Sequence, residues 1–230
     1  MAGAIPERKG SRQMSESFPL GAVLALAGGF LDAHTYLVRG GVFANAQTGN
    51  VVLLGVRLMD RDWPGALHSL VPILAFIAGV LTTELMRGRG LRWERLHWRQ
   101  LAVAVEAAVL LAVAALPGWA DAWANVLVSY VCAVQVQSFR KVNGSVLATT
   151  MCTGNLRSGT EAFYRRWVTG EGAQLRLAAR SYGVVLFFAA GAALGAWCSG
   201  MWGRQAVLAA CGLLCLAFLM MFRRVQALDE

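Results

Sequence analysis

Long apolar runs alternate with short polar stretches along the chain from residue 20 to residue 222. A helix needs about 20 mainly apolar residues to cross the hydrocarbon core of a bilayer. Six runs approach that length, and they cover residues 20–38, 67–86, 100–117, 122–139, 181–199 and 205–222. This pattern predicts an all-α integral membrane protein with six transmembrane helices.

Two related segments interrupt the apolar pattern, and each ends in Thr-Gly-Asn. The first is GGVFANAQTGN at residues 40–50, and the second is GSVLATTMCTGN at residues 144–155. Thr favours the N-cap of a helix, Gly permits close backbone approach, and Asn both donates and accepts hydrogen bonds. We therefore predict that both segments are re-entrant or broken within the membrane. The alternative is that both segments cross it, which gives eight spans.

The distribution of basic residues distinguishes six spans from eight. With six spans and a cytoplasmic N-terminus, 17 of the 21 Lys and Arg residues lie on the cytoplasmic side. With eight spans, the arginines of 87–99 and those of 157–180 fall on opposite sides, and the bias nearly vanishes. Because short cytoplasmic loops are enriched in Lys and Arg, we predict six spans with both termini in the cytoplasm.

The order of landmarks in the two halves of the chain predicts an internal duplication. The two Thr-Gly-Asn tripeptides lie 105 residues apart, and the segments FIAG at 76–79 and FAAG at 188–191 follow them in the same order. Three spans per half would reverse the second half relative to the first, which predicts a 3+3 inverted repeat, common in transporters. The predicted organisation is a cytoplasmic tail at 1–17 and a single membrane domain at 18–225, with repeats at about 18–118 and 119–225.

Polar residues inside the predicted spans and motifs are the candidate functional residues. Ionisable groups within a span are costly and usually face an interior partner or water. Asp32 is the strongest candidate, and its alternative role is a structural hydrogen bond or an ion pair with Arg39. Glu106 is expected where water or an arginine can reach it. The predicted solute pathway comprises Asp32, Tyr36, Gln47, Thr48, Gly49, Asn50, Gln137, Thr153, Gly154 and Asn155.

Composition and charge narrow the classes of function. The chain is 57% hydrophobic and 15% charged, whereas soluble domains carry about 25% charged residues. The net charge of +8 lies mainly in the predicted cytoplasmic segments, so we expect contact with anionic lipid and no nucleic-acid partner. The five cysteines form no metal or disulfide motif, and we expect no cofactor, no metal and no catalytic set. Homo-oligomerisation is compatible with so small a chain.

The segments GGFLDAHTYL, GGVFANAQTGNVVLLG and QVQSFRKVNGSVLATTMCTGNLRSG resemble the signature of the YoaK family of bacterial membrane proteins. The resemblance extends from about residue 18 to residue 222. It implies a multi-pass protein of the bacterial inner membrane, and it implies no activity.

Three functional hypotheses remain open from the sequence. The leading one is binding or passage of a small polar solute or ion at a midplane site between the two Thr-Gly-Asn motifs. The second is a non-transporting scaffold or partner protein, in which the motifs only pack the two halves together. The third is a membrane-embedded enzyme that uses Asp32 with His34. A continuous polar path favours the first hypothesis, a dry midplane the second, and a convergent catalytic set the third.

Overall fold

A computed structural model describes residues 17–88, 98–139, 141–142, 145–146 and 149–222. The predicted cytoplasmic tail at 1–17 lies outside the described residues except for Ser17. Most of the basic segment 87–99 and the pair Arg223-Arg224 also lie outside them.

The described residues are almost entirely helical. They form eight α-helices, namely α1 (Phe18–Val38), α2 (Gln47–Met59), α3 (Trp63–Gly88), α4 (Trp98–Ala114), α5 (Asp121–Ser138), α6 (Cys152–Thr169), α7 (Gly172–Trp202) and α8 (Val207–Met220). The strands β1 (Lys141–Val142) and β2 (Ser145–Val146) pair antiparallel between α5 and α6. Each predicted apolar run overlaps one of α1, α3, α4, α5, α7 and α8, and the other two helices, α2 and α6, begin within the two motifs.

Local signals explain where several helices begin and end. The hydroxyl of Ser17 accepts a hydrogen bond from the backbone N–H of Leu20, and Pro19 occupies the first turn of α1, where it costs no helix hydrogen bond. Helix α6 ends at Gly170, which has φ +75°. By length and composition, three described segments could cross a bilayer: Phe18–Val38, Trp63–Arg87 and Gly172–Met220, which contains both α7 and α8. The architecture is that of an all-α membrane protein.

Four helices form the centre of the molecule, with the others arranged around them. Helix α4 packs against α5 and α8, and α1 packs against α8 and touches α5. Helix α7 packs along α1 and α3 packs along α5, while α6 and α2 lie on the outer sides of α7 and α3. The buried apolar core comes mainly from the four central helices and includes Leu24, Phe30, Leu110, Val128 and Leu214.

Glycines allow the closest helix contacts. A Cβ atom on Gly191 of α7 would collide with the carbonyl of Leu26 in α1, and one on Gly79 of α3 would collide with the carbonyl of Tyr130 in α5. Helices in membranes gain most of their association energy from packing, so small residues at an interface strengthen it.

A partly buried ion-pair network joins several helix ends on one side of the molecule. Arg39, which follows α1, is fully buried and donates to the Asp121 carboxylate at 2.8 Å and to the carbonyl of Val113 at 2.9 Å. Arg204, between α7 and α8, also donates to Asp121 at 2.8 Å. The ends of α1, α4 and α7 and the starts of α5 and α8 therefore lie together, and we call this the Asp121 end.

Candidate functional site

The segment between α1 and α2 folds back along α1. Gly40 and Gly41 have φ of +94° and +74°, a conformation that glycine adopts without strain. Asn45 then lies beside the middle of α1, where its backbone N–H donates to Asp32 Oδ1 at 2.6 Å and its Nδ2 donates to the carbonyl of Gly28 at 3.3 Å. At 1.5 Å per residue, Gly28 lies about 15 Å from the C-terminal end of α1. Helix α2 therefore begins deep in the molecule.

The Asn50 side chain holds this returning segment in place. Asn50 is fully buried; its Nδ2 donates to the carbonyl of Phe43 at 2.7 Å and to Gln47 Oε1 at 2.8 Å. Its Oδ1 accepts a hydrogen bond from the backbone N–H of Phe43 at 2.8 Å. The Asn50 amide thus supplies a hydrogen-bond partner to both the backbone N–H and the carbonyl of Phe43, which belongs to no helix or strand.

Asp32 faces the start of α2 from the middle of α1. It is buried, and backbone groups of Ala44 and Ala46 face the same carboxylate as Asn45 does. Its second oxygen, Oδ2, has no hydrogen-bond partner among the described residues. Of the two structural alternatives, the hydrogen bond is present and the ion pair with Arg39 is not, because Arg39 binds Asp121.

The second segment reaches the same point on α1. Thr149 and Thr150 precede α6 and are both buried. A Cβ atom on Gly28 would lie 2.6 Å from Thr150 Cγ2 and 3.6 Å from Asn45 Nδ2, so residues of both segments meet at this glycine. Asn45 Oδ1 and Thr149 Oγ1, like Asp32 Oδ2, are buried without a partner among the described residues. We call Asp32, Asn45, Thr149 and Thr150 the midplane site, after the midplane position that the sequence predicts for a site between the two motifs.

The Thr-Gly-Asn tripeptides lie in the first helical turn and not at the break. The N-caps of α2 and α6 are Ala46 and Met151, and neither makes a side-chain cap, so the expectation that Thr caps a broken helix was wrong. In both copies the Thr is exposed and the Asn is buried: Thr48 and Asn50 in the first, Thr153 and Asn155 in the second. The sequence patterns identified the two segments that meet, but the residues that meet at Gly28 are Asn45 and Thr150 and not the tripeptides.

The remaining predicted pathway residues lie in different places. Tyr36 is exposed and stacks on Phe43, with ring centroids 4.9 Å apart. Gln47 Nε2 donates to the carbonyl of Ala44 at 2.9 Å, which supports the turn before α2. Gly49 lies against the Phe43 ring, and Gly154 has open space around it.

Two glutamines near the end of α5, Gln135 and Gln137, lie in different surroundings. Gln137 lies near the end of α5 and donates to Glu84 of α3, apart from the midplane site. Gln135, two residues earlier, is buried, and neither end of its amide has a partner among the described residues. Its position on the buried face of α5 was not evident from the sequence, because both glutamines fall in one apolar run.

Glu106 and His34 are both enclosed by the helix bundle. Glu106 is 1% exposed, and neither carboxylate oxygen has a partner in the described part of the chain, so the expected access of water or an arginine was wrong. His34 Nδ1 lies 3.1 Å from Ser199 Oγ on α7. Asp32 and His34 therefore have different partners and do not converge on one point.

Comparisons with known proteins agree with this architecture. Residues 20–220 match the family model described as "Protein of unknown function (DUF1275)", and the chain belongs to this family. The chain is 31% identical over 145 residues to the UPF0700 transmembrane protein YoaK of Bacillus subtilis (strain 168). That match covers 60% of this chain and 63% of the relative, which is less than two thirds of its length. No solved structure matches the chain. The predicted resemblance to the YoaK family is confirmed.

Proposed function

We propose that this chain binds or passes a small polar solute or ion at the midplane site. In this proposal it is a six-span protein of the bacterial inner membrane, built as a 3+3 inverted repeat with both termini in the cytoplasm. The observation that carries the proposal is the meeting of two non-helical segments at Gly28, with three buried polar atoms, on Asp32, Asn45 and Thr149, that have no partner among the described residues. Buried polar atoms without partners are costly, and a bound ligand or water would satisfy them.

Pairwise packing of the helices supports the inverted repeat. If α1 to α4 are exchanged with α5 to α8, the pair α1–α7 becomes α5–α3, the pair α2–α3 becomes α6–α7, and α4–α5 becomes α8–α1. All of these pairs pack against each other, and the pair α4–α8 maps onto itself. The glycine contacts follow the same rule, since Gly79 meets Tyr130 where Gly191 meets Leu26.

Helix direction supports six spans and two re-entrant segments. Helix α2 begins near Gly28, and Arg57 in its last turn donates to the carbonyl of Gly65 at the start of α3. The start of α3 lies at the Asp121 end, because Pro64 and Ala122 line one small pocket. Helix α6 also begins near Gly28 but leads to the start of α7, at the opposite end. The two segments would then enter the membrane from opposite faces.

Exposed aromatic and basic residues support the proposed orientation. Trp63, Trp119, Trp123, Trp197 and Trp202 are exposed and lie near the Asp121 end, as expected for a belt at one membrane interface. At the other end, helix α6 exposes Trp167 next to Arg165 and Arg166, which suits contact with the anionic lipid of a cytoplasmic leaflet.

Electrostatics at the midplane site favours a cation or a solute rich in hydrogen-bond donors. The unpartnered atoms are oxygens, one of them on the Asp32 carboxylate. Helix N-termini generally attract anions, and both α2 and α6 begin here. However, Asp32 already occupies the space before α2 and accepts the N–H of Asn45, so a second anion would be repelled.

The scaffold hypothesis remains the second candidate because one observation favours it. The contacts through Gly191 and Gly79 bring helix backbones together so closely that they are suited to holding the two halves rigidly. In that case, the midplane site would be a buried hydrogen-bond network and would bind no solute.

Ligand-dependent stability distinguishes the two candidates. The purified protein is melted with sodium, potassium, ammonium, methylammonium or glycerol, alongside Asp32→Asn and the control Glu84→Gln, whose carboxylate is exposed. A ligand at 100 times its Kd stabilises a protein by about 2.7 kcal/mol. We expect at least one probe to raise the melting temperature of the wild type and of Glu84→Gln but not of Asp32→Asn. Equal responses in all three proteins would favour the scaffold.

A further inference from the structure

Glu106 is a carboxylic acid in the dry centre of the helix bundle. It lies midway along α4, which packs against α5 and α8, and only 1% of its surface is exposed. Neither oxygen has a hydrogen-bond partner or an ion pair among the described residues. The neighbouring positions on the same face of α4, Val103 and Leu110, belong to the apolar core.

Among the described residues, the titratable groups that face Glu106 from the packed helices are thiols. Cys132 of α5 and Cys211 of α8 both lie within electrostatic reach of its carboxyl group. Cys132 is also within electrostatic reach of Asp32 in the midplane site. The Cys211 thiol donates a weak hydrogen bond to the carbonyl of Ala107, at a sulfur–oxygen distance of 3.7 Å, so it lies at the contact between α8 and α4.

Packing alone does not account for an acid at this position. A permanent carboxylate would be an uncompensated charge in a medium of low dielectric, and a permanent carboxylic acid would leave a donor and an acceptor unsatisfied. The residue that occupies the corresponding place in the second repeat, 105 positions later, is Cys211. A small residue therefore occupies the corresponding place without that cost, so the packing at this position does not require an acid.

We propose that Glu106 is a proton-binding site at the contact between the two repeats. Its carboxylate takes a proton from water when α4 and α8 separate and holds it as the neutral acid when they close. It returns the proton to water when they separate again. This inference rests on the proposed function, because it makes the proton the ion that couples movement of the two repeats to events at the midplane site.

The test uses a reagent that reports a protonated carboxyl group within the membrane. Dicyclohexylcarbodiimide partitions into lipid and takes the proton of a carboxylic acid on one nitrogen, while the carboxylate oxygen bonds to its central carbon. Migration of the acyl group to nitrogen then leaves a stable acylurea. The wild type in phosphatidylethanolamine–phosphatidylglycerol vesicles is labelled over a series of pH values, and the adduct is located by peptide mass spectrometry.

We expect an adduct on Glu106 whose rate of formation falls about tenfold for each pH unit above the pKa of the group, because the protonated fraction falls in that way. The adduct should be absent in Glu106→Gln and unchanged in Glu84→Gln. Labelling that does not change with pH would show a permanently neutral acid and overturn the proposal. Labelling of Glu106 only after unfolding would show a sealed acid and overturn it as well.

The labelling experiment can fail independently of the proposed function. It uses no solute, so pH-dependent labelling without any ligand-dependent stabilisation would support the proton site and contradict the solute site. Stabilisation that depends on Asp32, in a protein whose Glu106 is sealed, would support the solute site and contradict the proton site.

Discussion

The Asn50 side chain offers the clearest test of how the first returning segment is held. Its amide makes three hydrogen bonds, two to the backbone of Phe43 and one to Gln47, at distances of 2.7–2.8 Å. Replacement of Asn50 by Ala removes all three bonds and leaves the Phe43 N–H and carbonyl without protein partners. Asn50→Asp keeps the bond from the Phe43 N–H but turns a second oxygen toward two acceptor oxygens.

The expected loss of stability follows from the number of hydrogen bonds that are removed. A typical hydrogen bond contributes about 1 kcal/mol net, and a buried polar group left unsatisfied costs about 1–3 kcal/mol. Asn50→Ala should therefore lower the free energy of unfolding by about 3 kcal/mol, and Asn50→Asp by a similar amount. The neighbouring Thr48→Ala should change it by less than about 0.5 kcal/mol, because Thr48 is exposed on the surface of α2.

The assay is unfolding in mixed micelles by titration with sodium dodecyl sulfate, followed by the fluorescence of the eight tryptophans. The three variants and the wild type are compared at one detergent and one pH. If Asn50→Ala were as stable as Thr48→Ala, the Asn50 side chain would not hold the segment, and the account of this turn would be refuted.

Three further predictions concern the charges at the Asp121 end and the packing of α7 against α1. Asp121→Asn leaves Arg39 buried without a counter-charge and should cost about 3–5 kcal/mol in the same titration, whereas Arg204→Gln, at an exposed position, should cost less than about 1 kcal/mol. Burial alone would raise the pKa of Asp121, but hydrogen bonds and charges from Arg204 and Arg39 outweigh burial and lower its pKa. The stability that this pair adds should therefore be complete above about pH 4, the ordinary value for Asp, and should be lost as the pH falls through the lowered pKa; a wild type and an Asp121→Asn variant with parallel acid profiles would contradict this. Gly191→Ala should destabilise the protein through its collision with Leu26, while Gly200→Ala, with open space around it on the same helix, should be neutral or slightly stabilising in thermal melts.

Much of the helical architecture could be predicted from hydropathy, because bilayer thickness fixes the length of an apolar run. Helices α1, α3, α4, α5, α7 and α8 all fall on predicted runs. The ends of the helices were harder to predict from the sequence. Helix α7 begins at Gly172, nine residues before its predicted run, because the helix continues beyond the apolar segment into the polar stretch that packs against α6.

Only some residues of the candidate site could be predicted from the sequence. Asp32 stood out because an acid within an apolar run is unusual. Asn45, which donates to Asp32, and Thr150, which meets Asn45 at Gly28, each lie just before a Thr-Gly-Asn tripeptide, in positions that no sequence motif marks. Residue preferences pointed to Thr as the N-cap, but tertiary packing placed Ala46 there.

Long-range partners could not be identified from local patterns. The sequence suggests only the nearby Asp32 as a partner for Arg39, and the fold shows that Arg39 is buried against an acid 82 residues away. Likewise, helical spacing does not reveal which of Gln135 and Gln137 faces inward, because the neighbouring residues of α5 are nearly all apolar.

The central claim is that two segments enter the membrane from opposite faces and meet at the midplane site. The most direct measurement is reaction of a membrane-impermeant maleimide with Asn45→Cys and Thr150→Cys, each in a background without the five native cysteines. Asp62→Cys and Glu171→Cys, in the loops after α2 and α6, serve as controls for the two faces. We predict that Asn45→Cys reacts from the outer face and Thr150→Cys from the cytoplasmic face. Reaction of both from one face, or of neither from any face, would contradict the account.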